Sequence, residues 1–259
     1  MANGLFLKSE GAHFMYRKSD KTRIKERRGC GEGQQYQGFL AANEARSRGS
    51  AAQFYDPIEN RTVDLMSQGE LLFYAQLRFN PAVKEIKEQY PMYNQRLIAD
   101  ICVDNGFNPY YYTRFIMSTD FLVTMWDGRR IAYSVKANRQ QYTDKSKSEK
   151  RIKEREKFLK RQFIEYEYWK RQGVQFQTVI KTEINRILSI NILHILHFYN
   201  WSSVHDGDSL FKYLIAHHKV TIDMAQYLVE FSNEKRKYGI DFDKLFQIVS
   251  QKSINLSKG

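Results

Sequence analysis

"MSTDFLVTMWDGRRIAYSVK", from Met117 to Lys136, reads as two strands around a tight turn. Asp120 stands near one end and Lys136 near the other, both charged within otherwise apolar or uncharged runs, Phe121-Leu122-Val123 and Ile131 to Val135. In an antiparallel pair the register decides which side chains share a face. A two-residue turn at Asp127-Gly128 sets Asp120 opposite Val135 and sends Lys136 to the other face. A three-residue loop, Asp127-Gly128-Arg129, pairs Trp126 with Arg130 and sets Asp120 opposite Lys136, with Ser134 on the same face. The second register is expected, since it brings an acid, a small polar group and a lysine together. The pattern permits a site without forcing one, because a cross-strand salt bridge near a sheet edge uses the same residues.

Outward from the hairpin, the N-terminal side holds a short hairpin in residues 53–65 around Asp56-Pro57 and Glu59-Asn60. "SQGELLFYAQLRFN" then gives a helix with Leu71, Leu72, Ala75 and Phe79 inward. Its Ser67-x-x-Glu70 is a capping box, and Glu70 could also supply a second acid. Ala82–Met92 reads as a strand ending at a proline, and residues 93–114 as loop or short helix. On the C-terminal side, residues 139–171 hold twelve Lys or Arg against six Asp or Glu. A helix from about Asp144 to Arg171 is expected, docked by the stripe Ile152, Leu159, Phe163 and Tyr166, with a basic outer side. Gly173 stops it, and Val174–Thr182 alternates like another strand.

The order helix, strand, hairpin, helix, strand predicts an α/β core around a small mixed sheet. An apolar helix over Glu183–Tyr199 and three short helices, Leu210–His217, Asp223–Lys237 and Phe242–Ser250, suggest a small helical, winged-helix-like C-terminal domain. The expected division is a basic N-terminal arm at 1–50, an α/β domain at 51–183 and the helical domain at 184–259.

Composition narrows the partners. The 259 residues carry a formal net charge of +12, which favours a polyanion such as nucleic acid. Two cysteines far apart, Cys30 and Cys102, argue against a disulfide framework or zinc ribbon. No Gly-Lys-Ser/Thr follows the glycines near Gly33, and no Gly-x-Ser-x-Gly occurs, so a P-loop and acyl chemistry lack support. Nothing reads as a signal peptide or membrane span, and a soluble cytoplasmic protein is expected.

Several stretches together resemble one family: "RIKERRGCG" (23–31), "GELLFYAQLRFNPAVKEIKEQYPM" (69–92), "MSTDFLV" (117–123), "SVK" (134–136), "EYEYWKRQGV" (165–174) and "IKTEIN" (180–185). In this order they are similar to TnsA, the endonuclease subunit of Tn-seven-type transposons, including CRISPR-associated ones. The resemblance implies a restriction-endonuclease-like fold with the site pattern Glu…Asp…(Glu/Gln)-x-Lys. By position Glu70, Asp120 and Lys136 match it, and Ser134 stands where the family often has Gln or Glu. Glu165 matches a further acid, for which a structural salt bridge is the other role. The resemblance implies Mg²⁺, with Mn²⁺ as substitute, held by Asp120, Glu70 and the Val135 carbonyl. It implies cleavage at transposon 5′ ends beside a transposase subunit, TnsB, and an ATP-dependent regulator, TnsC. Arg23, Lys25, Arg27 and Arg28 of the arm, with the basic helix, would contact DNA phosphates, in a bacterial, nucleoid-associated setting. A stand-alone nuclease of the same fold, or a non-catalytic DNA-binding module, would share many of these features.

Overall fold

The computed structural model describes residues 16–44, 50–80, 82–143 and 148–197. The expected C-terminal helices at 210–217, 223–237 and 242–250, and any winged-helix character, lie outside the described residues.

A first helix, α1 (Lys18–Lys25), leads into two short 3₁₀ turns. A separate hairpin follows, β1 (Ala52–Asp56) with β2 (Arg61–Leu65), then α2 (Gln68–Arg78) and β3 (Val83–Pro91). Helices α3 (Gln95–Asp104) and α4 (Tyr110–Thr113) precede the central pair β4 (Ser118–Met125) and β5 (Arg130–Lys136). After α5 (Gln140–Thr143) and α6 (Glu149–Arg171) come β6 (Gln175–Ile180) and α7 (Arg186–His197). The sheet order is β3-β4-β5-β6, with β6 parallel to β5 and the other pairs antiparallel. A parallel pair needs a long crossover, and α6 provides it.

Each face of this sheet has its own core. On one, Val63 and Leu65 of β2 and Tyr74 and Leu77 of α2 pack against Ile86, Phe121, Val123, Ile131 and Val135. On the other, Ile98, Ile101 and Cys102 of α3 and Ile164, Tyr168 and Trp169 of α6 cover Leu122 and Ala132. Helices on both faces of a small mixed sheet make the restriction-endonuclease-like α/β core expected from the sequence.

The ends of the β1–β2 hairpin are tied down by buried ions. Arg61 grips Glu88 of β3 with two bonds of 2.8 Å, donates to the Ile86 carbonyl at 2.9 Å and reaches Glu59 at 2.6 Å. Arg78 of α2 lies 2.7 Å from Asp56, whose carboxylate also accepts from the Tyr74 hydroxyl. Two buried arginines amid three acids fix the hairpin to α2 and β3, each charge facing an opposite one.

Residues 93–114, expected as loop or short helix, hold the ten-residue α3, whose N-cap Asn94 accepts from Leu97 N at 3.0 Å. One expectation changes. Helix α6 docks by a different face: Leu159, Phe163 and Tyr166 stay 36–42% exposed, while Ile164, Glu165, Tyr168 and Trp169 are buried. The sheet-facing side includes Gln162 and Glu165, so apolar periodicity alone rotated the helix. The described part of the expected basic arm is docked against β3. Tyr36 and Phe39 are buried, and Phe39 N donates to the Gln89 carbonyl at 3.1 Å. Gly29, at φ +75°, passes so close to β3 that a Cβ would stand 2.3 Å from Pro91 Cγ.

Candidate active site

The β4–β5 turn places the site residues. The loop has three residues, but they are Trp126-Asp127-Gly128: Met125 N donates to Arg129 O, and Thr124 pairs with Arg130. Such loops end on a left-handed residue, and Gly128, at φ +85°, must therefore be last, not central. The register is two residues from the expected one. Leu122 pairs with Ala132 and Phe121 with Tyr133, so Asp120 falls beside Ser134 rather than opposite Lys136. A shift of two keeps side chains on their faces. Asp120 and Lys136 still meet, with Oδ2 3.8 Å from Nζ and each side chain about one-fifth exposed, at 19% and 18%.

The sheet opens at this level. Residues two apart on a strand share a face, yet Thr119 donates to Glu165 of α6 while Phe121 lies in the α2-side core. The neighbouring strand does the same: Glu88 bonds Arg61, and Tyr90 packs on Trp169 of α6. Between them stand Asp120 and Gln89, the latter at φ +45°. Asp120 Oδ2 accepts from Val135 N at 2.6 Å, filling with a side chain a place a strand carbonyl would take.

Glu70 arrives from the first turn of α2. Its N–H donates to Ser67 Oγ at 3.2 Å, and its carboxylate accepts from Ser67 Oγ (2.9 Å), Met66 N (2.8 Å) and Gln89 Nε2 (3.0 Å). The capping role is real, and the same carboxylate feels the site. Burial first, then the charge of Asp120, hold its pKa up at about 8. A buried carboxyl whose ionisation a neighbouring carboxylate opposes marks a place where a cation would relieve repulsion. Among the described residues no three acidic, histidine or cysteine side chains form a ready metal cage.

Residues 80–181, which contain Asp120, Ser134, Lys136 and Glu165, match the family model described as TnsA-like endonuclease N terminal. The chain is also 28% identical over 172 residues to the transposon Tn7 transposition protein TnsA of Escherichia coli. Over this segment the chain is similar to TnsA. The alignment spans 66% of this chain and 59% of the length of that relative.

The accessory acid, Glu165, is enclosed. Glu165 accepts from Thr119 Oγ1, from Ser134 Oγ at 3.3 Å and from Gln162 Nε2 at 3.1 Å. Burial pushes its pKa up, Lys136 pulls it down, and Asp120 pushes it up again. Its partners are thus neutral donors, and Ser134, itself fully buried, is turned toward it. Sequence reading missed Gln89, Thr119 and Gln162. Gln162 could have been found, since it lies at i−3 from Glu165 on α6; Gln89 and Thr119 carry no local signal.

The basic residues near the N-terminus divide into two pairs. Arg23 bonds Asp20 at 2.7 Å and Glu44 at 3.0 Å, and Arg28 bonds Glu26 at 2.8 Å and Glu44 at 2.9 Å. These carboxylates occupy both guanidinium groups and tie α1 to the chain near Glu44. Lys25 and Arg27 are exposed. No helix among the described residues is long and apolar enough to cross a membrane.

Proposed function

We propose that this chain is a Mg²⁺-dependent DNA endonuclease that cuts the non-transferred strand at transposon 5′ ends within a heteromeric transposase. The observation that carries the reading is the meeting of Asp120 and Lys136 where β4 and β5 part, inside the segment that resembles the TnsA endonuclease domain, with Glu70 of α2 close enough to feel the charge of Asp120. Asp120, Glu70 and the Val135 carbonyl would hold the ion, which when bound supplies Lewis acidity toward the scissile phosphate. Lys136 then holds a positive charge against the phosphate oxygens as negative charge builds in the transition state, or takes a proton from the attacking water. Water attacks phosphorus and the bond to the leaving oxygen breaks. Glu165, out of solvent contact, orients Ser134 and Thr119 behind the reacting side.

DNA is held mainly through phosphates, by Lys25, Arg27 and the exposed basic side of α6, including Lys150, Arg151, Lys153 and Lys157. The partners in this reading are a TnsB-type transposase that cuts the 3′ ends and a TnsC-type ATP-dependent regulator, with the reaction taking place in the bacterial cytoplasm. The test is cleavage of supercoiled donor DNA with each partner subunit omitted in turn, the cut strand being mapped at both ends. Cuts at the 5′ ends that need this chain and its partners support the reading. Cleavage of naked DNA by this chain alone makes it a stand-alone nuclease, and no cleavage with all partners present makes it a DNA-binding module.

A further inference from the structure

We infer that Gln89 is the positioning residue of the site, the side chain that turns the Glu70 carboxylate toward Asp120. It rests on the metal-dependent nuclease reading above and adds a residue that the site pattern does not contain.

Gln89 is 2% exposed and has a positive φ of +45° in the middle of β3. A non-glycine residue held there is strained, and such strain persists only where the surroundings enforce it. Here they do so from three directions. The Gln89 carbonyl accepts from Phe39 N at 3.1 Å. The side-chain oxygen accepts from Ser118 Oγ at 3.2 Å, two residues before Asp120. The amide Nε2 donates to Glu70 Oε2 at 3.0 Å. Ladder pairs Glu88–Phe121 and Tyr90–Thr119 bracket Gln89 directly beside Asp120. The bend therefore has two effects. It turns Tyr90 from the face of Glu88 to the face of α6, opening the sheet at Asp120. It also aims an amide, oxygen toward β4 and nitrogen toward α2, so that one planar group spaces the two strand-borne and helix-borne acids. A regular strand residue would send this side chain into one core or the other and leave Glu70 held only by its own cap.

The test uses the full chain and Mn²⁺ alone, with free ion counted by electron paramagnetic resonance, so that no DNA or partner is needed. Gln89→Gly accepts the left-handed backbone but lacks the amide. Gln89→Met keeps the length without a donor. Removing an outer partner of a metal-holding carboxylate typically weakens metal binding about 10–100-fold. Both variants are expected to show that loss in their folded fraction, with Gln89→Gly melting close to the wild type because relief of strain offsets the lost bonds. If Gln89→Gly does not fold, Gln89→Met decides. Mn²⁺ affinity within twofold of wild type in either folded variant overturns the assignment. Wild-type chain that takes up no Mn²⁺ overturns it together with the metal-dependent reading, whereas wild-type uptake that the variants share overturns Gln89 alone.

Discussion

Ser134→Ala should leave a working nuclease, although Ser134 lies beside Asp120 and occupies a position where the resembling family often has a ligand-forming side chain. The structure sets the magnitude. Ser134 is fully buried, and its hydroxyl donates to Glu165 Oε2 over 3.3 Å, a long bond, with Gln162 Nε2 at 3.5 Å. Removing it leaves Glu165 with two other donors, Thr119 and Gln162, so no charge is orphaned. A bond this long contributes about 1 kcal/mol, which is about tenfold in rate at most. Lys136 differs, since it is the cation within 3.8 Å of Asp120. Losing a preorganised charge-stabilising group typically costs about 10²–10³ in rate. Initial rates of strand cleavage on supercoiled donor DNA, with partner subunits and Mg²⁺ held constant, should fall in that order: wild type, Ser134→Ala, then Lys136→Ala far below. Ser134→Ala as inactive as Lys136→Ala, at equal folded fraction, would refute the placement of charge in this site.

Three further outcomes follow from the geometry. Glu70, held up at about 8 in the metal-free chain against an ordinary 4.5, binds its proton more tightly folded than unfolded. Its contribution to stability is full below about pH 4.5 and is lost as pH rises through about 8, so Glu70→Gln should flatten that fall in urea unfolding, while the similar slope from Glu88, which burial holds up at about 7 against the pull of Arg61, remains. Arg61→Met strips Glu88 of its two-bonded partner and should cost about 3–5 kcal/mol in urea unfolding, most of it recovered when Glu88→Leu is added. Gly29→Ala, with a Cβ 2.3 Å from Pro91 Cγ, should destabilise more than Gly128→Ala, where the space is open and only the left-handed backbone, about 1–2 kcal/mol, is at stake.

Much of the core was legible because its signals are local. Turn residues, alternation in β4 and the Ser67–Glu70 cap each act within a few residues, and they place Glu70, Asp120 and Lys136 on the right elements. The register error was also local: the left-handed position closes the loop, which Gly128 alone could have told. The bend at Gln89 was not legible, since glutamine has no preference for positive φ and is held there by Phe39 N, Ser118 and Glu70, all distant in sequence. The docked face of α6 was hidden for a related reason. Its buried side carries Gln162 and Glu165, polar groups satisfied only once β4 and β5 supply Thr119 and Ser134. Nothing near Arg23 and Arg28 in the sequence signals that Glu44 pairs with both from across the chain.

Strand cleavage by the Asp120→Asn chain tests the site most directly. Asparagine keeps an oxygen for Val135 N, now 2.6 Å from the aspartate, so the strand opening and the fold should survive. It removes the charge that pairs with Lys136 and would bind the ion. In the donor-DNA reaction with all partner subunits and Mg²⁺, the variant is expected to assemble on the DNA, melt within a few degrees of wild type and cut the 5′ ends at least about 10²-fold more slowly. Cleavage at the wild-type rate by a folded Asp120→Asn chain would contradict the assignment of this opening between β4 and β5 as the nuclease centre.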